Sequence, residues 1–391
     1  MAAPLAGLRV LDLSTTFSGP YCTNLLGDLG AEVIKIEAPG GDVTRSLGTT
    51  VAPDMASVFI AANRNKDCLL LNLREDEDRQ TFFALARTAD VLLHNMREQA
   101  LVKLGIDYAS LRVENPSLIY CGITGYGNAG PYAGRPAYDD TIQAMSGMAW
   151  LQSQGGEDSR FMFSPVADKT AGMMAALAIN AALVHRTRTG EGQHVEVPMF
   201  ESLVSFNLME QLGGRAYAPA IGPTGYERLH HRRPYRTADG VITVVCYHGG
   251  HWQRFLEFVG QADLLQHDEF REPEVRAMNI GKLYDLVAGI MPTRSTDEWL
   301  EILNELDIPA TRLLSTEDLF DDEHLLAVDM FQHTRPAADG KTYLGVRSPM
   351  LFSDTPAVQP RDMNAPHHLD EGRAAVDRWL AGPSEFAPDR G

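Results

Sequence analysis

Cysteine is scarce: the 391-residue chain has four, Cys22, Cys68, Cys121 and Cys246. None forms a C-x-x-C pair, and the wide gaps exclude a disulfide framework or a zinc pattern. Free, buried thiols in a reducing compartment are expected. No uninterrupted apolar run reaches the ~18 residues that a membrane helix needs. The opening MAAPLAGLRVLDLS lacks a basic segment leading into a long apolar one, so no secretory signal is expected and the expected location is cytoplasmic. Positive charge is also in deficit, with 34 Lys and Arg against 52 Asp and Glu, a net charge of −18. That surface excludes general affinity for nucleic acid and confers solubility. It leaves room for a local basic pocket around an anionic ligand. The histidines, among them His230, His231, His248, His251, His367 and His368, make no H-E-x-x-H or other metal spacing, and no metal is expected. No G-x-S-x-G elbow supports a serine hydrolase. Repeats and low-complexity tracts are absent.

What is present is alternation of strand and helix signals. Leu8–Leu13 reads as a short buried strand, Pro20–Leu29 as a helix closed by Gly30, and Glu32–Glu37 as the next strand. Pro suits a first helical turn and Gly the left-handed C-terminal position. The result is a βαβ unit with parallel strands. The pattern recurs with strands at Cys68–Leu73, Val91–His94, Leu118–Ile123 and Gln193–Val197, and helices at Asp76–Thr88, Asp139–Ala149 and Thr170–Arg188. Such alternation predicts an α/β domain with a largely parallel sheet. Residues 213–225, rich in Gly, Pro and Ala, read as a linker. A strand at Val241–Cys246 and helices at Trp252–Val259, Asn279–Met291 and Thr296–Leu306 read as a smaller α+β domain ending near Arg335–Gly340. Pro356–Pro366 should be irregular and Glu371–Leu380 a terminal helix.

Gly125-Tyr-Gly127-Asn-Ala-Gly130 matches G-x-G-x-x-G after a strand. A dinucleotide fingerprint needs those glycines to open a helix, and Pro131, Gly134 and Pro136 forbid one, so a tight loop is expected rather than an NAD site. Asp168 precedes a long helix signal. It reads either as a helix N-cap or as a carboxylate kept ionised by the positive helix end and able to act as a nucleophile. Arg45, Arg64, Lys66, Arg74, Arg97, Lys103 and Arg135 lie near strand ends and loops, where α/β sheets bind ligands. They could meet phosphates or be solvated surface charges. The basic run Arg228–Arg233 reads equally as a surface turn or as an attractor for an acidic substrate.

Several segments together resemble the class III CoA-transferase family, the CaiB/BaiF type that includes formyl-CoA and carnitine CoA-transferases. They are Gly7–Asp12 with Gly19-Pro20, Leu29–Glu37, Pro39–Arg45, Asn63–Lys66, Asn115–Tyr120, Thr124–Pro131, Arg135–Asp139, Gly190–Gln193, Ile308–Ala310 and Ser348-Pro349. The resemblance covers almost the whole chain. It implies a Rossmann-like large CoA-binding domain from residues 1–212 and 336–391, a small α+β domain from residues 226–335, and an interlocked homodimer. Asp168 falls at the family's catalytic aspartate. Leu71, Arg74, Asn95, Met96 and Lys103 fall at CoA-contacting positions, with Arg135 as a further CoA-binding candidate. Asp139, after Tyr138, falls where formyl-CoA transferase has a second carboxylate. Phe17 stands in place of a glutamine of that enzyme, Thr15 in place of a frequent arginine or histidine, and Ala38 in place of a CoA-contacting arginine. Asn95-Met-Arg-Glu replaces the usual Asn-Phe/Tyr-x-Pro. Gly249 and Gly250 would form a short version of a glycine loop over the active site.

The resemblance implies an enzyme that moves CoA from an acyl-CoA donor to a free carboxylic acid through an aspartyl anhydride and an aspartyl-CoA thioester. CoA is then a substrate, and no tightly bound cofactor is expected. Two alternatives share the fold. An α-methylacyl-CoA racemase typically carries Gly-His-Asp where this chain has Ala137-Tyr138-Asp139, and Gly-Asp followed by glycines where it has Ala167-Asp168-Lys169. A non-catalytic acyl-CoA-binding protein would account for the altered Thr15, Phe17 and Ala38.

Overall fold

The computed structural model describes residues 2–50, 52–153, 159–226, 231–336, 340–364, 368–382 and 386. The chain divides into two compact units, one of Met1–Asn207 with Leu326–Gly391, the other of Leu208–Leu325.

The first unit is built on six parallel strands: β1 (Arg9–Asp12), β2 (Glu32–Glu37), β3 (Lys66–Leu70), β4 (Val91–His94), β5 (Ile119–Thr124) and β6 (His194–Pro198). Their order is β3-β2-β1-β4-β5-β6, and the register pairs Leu11 with Ile34 on one side and with Leu92 on the other. Near-continuous apolar strands suit a parallel sheet covered on both faces. Among the described residues, the α-helices up to residue 189 are, in chain order, α1 (Ser18–Asp28), α2 (Ser57–Asn63), α3 (Asp76–Thr88), α4 (Glu98–Leu104), α5 (Tyr108–Glu114), α6 (Asp139–Met145), α7 (Met148–Ser153) and α8 (Val166–Thr189). Val10, Val33, Leu93, Cys121 and Ile123 face a core completed by Leu26 of α1 and by Ala171, Ala175 and Ile179 of α8. Alternate residues, Leu11, Ile34, Ile36, Leu69, Leu92 and Tyr120, face a second core. It is completed by Phe82 and Leu85 of α3 (Asp76–Thr88) and by Trp379 of the helix Arg373–Leu380. Strand order reverses between β1 and β4, and the carboxyl ends at such a reversal open a crevice.

The second unit carries a three-stranded antiparallel sheet, β7 (Tyr235–Arg236), β8 (Val241–Val244) and β9 (Ala310–Arg312). Its helices Gly249–Phe258, Ile280–Ile290 and Thr296–Glu305 enclose Trp252, Phe255 and Trp299. This unit starts at Leu208 and ends at Leu325, earlier at both ends than the 226–335 expected.

Other boundaries moved for identifiable reasons. Helix α1 starts at Ser18, because Phe17 O already accepts the Tyr21 N–H at 2.8 Å. Pro20 is therefore its third residue, where a missing N–H does no harm. The helix expected over 139–149 is two, Asp139–Met145 and Met148–Ser153, parted by Gly147 at φ +83°. Gly249 and Gly250 form the first turn of a helix rather than a free loop. Gly125–Gly130 is a turn, with Gly130 N donating to Gly127 O at 3.1 Å, and the next helix waits until Asp139. Of the basic run, Arg233 pairs with Asp285 at 2.5 Å, whereas Arg228 and His230, like His367, lie outside the described residues.

Candidate active site

A cleft of about 230 Å³ opens at the carboxyl ends of β1, β4 and β5, lined among others by Thr15, Thr16, Ser18, Asn95, Arg135 and Asp168. The loop after β1 supplies Thr15, Thr16 and Ser18, and the loop after β4 supplies Asn95 and Arg97. Asp168 comes from the first turn of α8.

Asp168 is not the helix cap. Helix α8 begins at Val166 with Pro165 before it, which makes Asp168 its third residue, 9% exposed. The expected lowering of its pKa is also overturned. Burial, followed by the like charge of Asp139, pushes the Asp168 carboxyl up to about 7, and hydrogen bonds from the hydroxyl and backbone of Ser18 only partly oppose the rise. A helix end contributes about 0.3–1 kcal/mol to a carboxylate, too little to offset desolvation at this depth.

The neighbours of Asp168 are fixed in turn. Asp139 Oδ1 accepts the Asp168 backbone N–H at 3.0 Å, so one carboxylate anchors the turn that carries the other. Gln143, 1% exposed, donates to Asp139 Oδ2 at 2.6 Å and accepts the Met162 N–H at 2.8 Å. Ser18 approaches because Gly172, one turn along α8, has no side chain. A Cβ there would meet Ser18 O at 2.7 Å and the Tyr21 ring at 3.0 Å.

Of the candidate residues named from the sequence, the cleft brings together Asp168, Tyr138, Asn95, Thr15, Arg97 and Arg135. Asp139 is held against Asp168 from behind. Phe17 lines a separate, larger groove of about 610 Å³. Leu71 is 1% exposed within the second core, so its side chain is closed to a ligand. Met96 packs partly against the same core. Arg74 and Lys103 are exposed and not part of the cleft lining. Sequence reasoning missed Ser18 and Gln143. Ser18 was hidden because Pro20 marked the helix start, and Gln143 carried no motif.

A crevice at the reversal of a parallel α/β sheet is where such folds bind ligands, and here it holds a buried carboxylate at a helix start with basic residues on its rim. The comparisons make the assignment particular. The profile of CoA-transferase family III matches residues 5–368, and the chain belongs to that family. It is 32% identical over 370 residues to a succinate–glutarate CoA-transferase of Agrobacterium fabrum, covering 90% of each chain. It is 32% identical over 383 residues to a succinyl-CoA:mesaconate CoA-transferase of Haloarcula hispanica, covering 95% of each. A solved CaiB/BaiF family protein from Brucella suis superposes with a TM-score of 0.82 at 30% identity, over 97% of this chain and 100% of that one. The chain is an enzyme of the CoA-transferase class.

Proposed function

We propose that the enzyme transfers CoA from an acyl-CoA donor to a free carboxylic acid with Asp168 as nucleophile. The observation that carries this reading is a carboxylate buried in the cleft at the sheet reversal, adjoined by Ser18 and by the second carboxylate Asp139. Ionised Asp168 attacks the thioester carbonyl, forming a C–O bond and releasing CoA thiolate, which leaves a mixed anhydride. The thiolate returns to the aspartyl carbonyl, and the donor acid departs as its carboxylate. The acceptor carboxylate then attacks the aspartyl-CoA thioester, releasing thiolate again. That thiolate takes the acceptor's acyl group from the second anhydride and frees Asp168. Covalent catalysis divides one hard exchange into easier steps, and bound CoA keeps its thiolate at high effective concentration. In this reading the Ser18 N–H and hydroxyl, which bond the Asp168 carboxylate, serve the developing oxyanion; losing one such donor typically costs roughly 3 kcal/mol of barrier.

CoA's anionic end fits the basic rim. Arg97 and Arg135 line the cleft and supply the charge that Ala38 does not. Arg74 and Lys103 are available to phosphates further out. In this reading Asn95 and Tyr138 border the thiol end, and Leu71 and Met96 contribute main chain. The six-stranded order reads as a Rossmann-like CoA-binding domain. A homodimer fits α8, which exposes Met173, Met174, Leu177 and Val184 on its outer face; a helix apolar all round belongs in an interior or an interface. Four free, buried cysteines fit a reducing cytoplasm.

The test is chemical. The enzyme is mixed with a panel of acyl-CoAs, quenched with hydroxylamine and digested. Mass spectrometry should find hydroxamate at Asp168. The Asp168→Ala variant should keep its circular dichroism spectrum and lose exchange. Exchange that persists in Asp168→Ala overturns the assignment.

A further inference from the structure

The loop between β1 and α1 has its own support. Leu13 N–H donates to Leu93 O at 2.8 Å, Ser14 N–H to Asp12 Oδ1 at 3.0 Å, and Thr15 N–H to Asn95 Oδ1 at 3.1 Å. Asn95 returns a bond from Nδ2 to Thr15 O at 2.8 Å. Thr16 is the exception to ordinary loop geometry, with φ +71°. That conformation costs a β-branched residue about 1–3 kcal/mol, and such strain persists only where the surroundings impose it.

Asp42 lies against this residue. Both its carboxylate oxygens lie within reach of the Thr16 N–H, at 3.3 and 3.2 Å. Asp42 is itself fixed, 2% exposed. Its Oδ1 accepts from the backbone and hydroxyl of Thr44 at 2.9 and 2.8 Å, and its Oδ2 pairs with Lys35 Nζ at 2.9 Å. Lys35, fully buried, donates on to Ser14 O at 2.8 Å, so one ammonium ties Asp42 to the same loop. Asp12, at the end of β1, accepts from Thr23 at 2.6 Å and from Lys66 at 3.1 Å. Burial works against the Asp12 charge, but Lys66 and Lys35 with Ser14 and Thr23 hold its pKa down at about 2. Four ionisable side chains on different segments thus converge beneath one loop, and the Thr15 and Thr16 they hold form a wall of the cleft two residues before Ser18.

We propose that Asp42 is a positioning residue for the reaction: anchored by Lys35 and Thr44, it holds Thr16 in the left-handed conformation that aims Ser18 at Asp168. Asp42 does not touch substrate. This deepens the reading of Asp168 as nucleophile and rests on it.

The test is a double-mutant cycle on the full chain, using Asp42→Ala and Thr16→Gly. It uses the acyl-CoA that labels wild-type Asp168 best in the hydroxylamine assay. A wild-type protein that no donor labels refutes the nucleophile reading itself, separately from this proposal. Asp42→Ala should lower the rate of Asp168 labelling about 30- to 100-fold, as misplacement of a supporting group does, while KM for acyl-CoA changes about threefold or less. Glycine adopts positive φ without a clamp, so in the Thr16→Gly background the same Asp42→Ala change should cost at most about a third as much. Asp42→Asn, which keeps an acceptor for the Thr16 N–H, should retain most of the rate; if Asp42→Ala does not fold, Asp42→Ser, whose side chain is too short to reach the Thr16 N–H, takes its place in the cycle with the same expected loss. An undiminished rate in Asp42→Ala, or an equal loss in both backgrounds, overturns the proposal.

Discussion

At the scale of the residue, the proposed nucleophile Asp168 sits in an environment that resists its charge. Burial, with Asp139 beside it, puts its carboxyl near 7, and only the ionised form attacks a thioester. The rate of Asp168 labelling should therefore rise with pH through about 7 and level off above. Asp139→Asn removes the like charge while keeping an oxygen for the Asp168 N–H, so the rise should move to lower pH; burial remains, and the midpoint should stay above the ordinary carboxylate value. An unmoved midpoint in a pH profile of Asp139→Asn would refute the coupling. The raised folded-state pKa has a sign for stability as well. The folded state binds more protons than the unfolded one between the two pKa values, so stability is lost as pH rises through that window. Asp168→Asn should thus raise the melting temperature at pH 8 and do much less at pH 5, and calorimetry at the two pH values checks it. The place of Asp168 at the start of a long helix was legible from the residues around it, but its ionisation was not. That depends on depth and on a neighbour 29 positions away, which a sequence does not reveal.

At the scale of the element, the register of α1 against α8 governs the site. Gly172 lets the helices meet at Ser18. Gly172→Ala should push α1 away, costing about 1–3 kcal/mol as overpacking does and slowing Asp168 labelling. A denaturant midpoint and a labelling rate that both match wild type would refute the close approach. Strands and helices with clean periodicity were legible, and β2, α3 and β4 have the bounds their residues suggest. Errors gathered where local signals conflicted with tertiary ones. Proline at position 20 masked two residues of α1, and Ser164-Pro165 made α8 read as starting late when it begins directly after Pro165. Helix Met199–Gln211 has a mixed outer face, with Phe206 and Met209 exposed beside Glu201, Ser205 and Glu210, which blurs its period.

At the scale of the whole molecule, Phe206, Met209 and the outer side of α8 leave apolar area uncovered. Leu177, 67% exposed, should be covered in a homodimer. Leu177→Asp should shift sedimentation velocity from dimer toward monomer, and a wild-type protein that sediments as a monomer would refute the dimer. The limits of the second unit, 208 and 325, are not written in the composition, because compactness is set by contacts. One consequence concerns synthesis. The first unit is closed by late residues: Gly372 N–H reaches Cys68 O at 2.7 Å on β3, and Trp379 fills the core beneath α3. A ribosome releases β3 some three hundred residues before its covering helix. Throughout that interval the part of the core that Trp379 fills stays open to whatever chaperone is at hand.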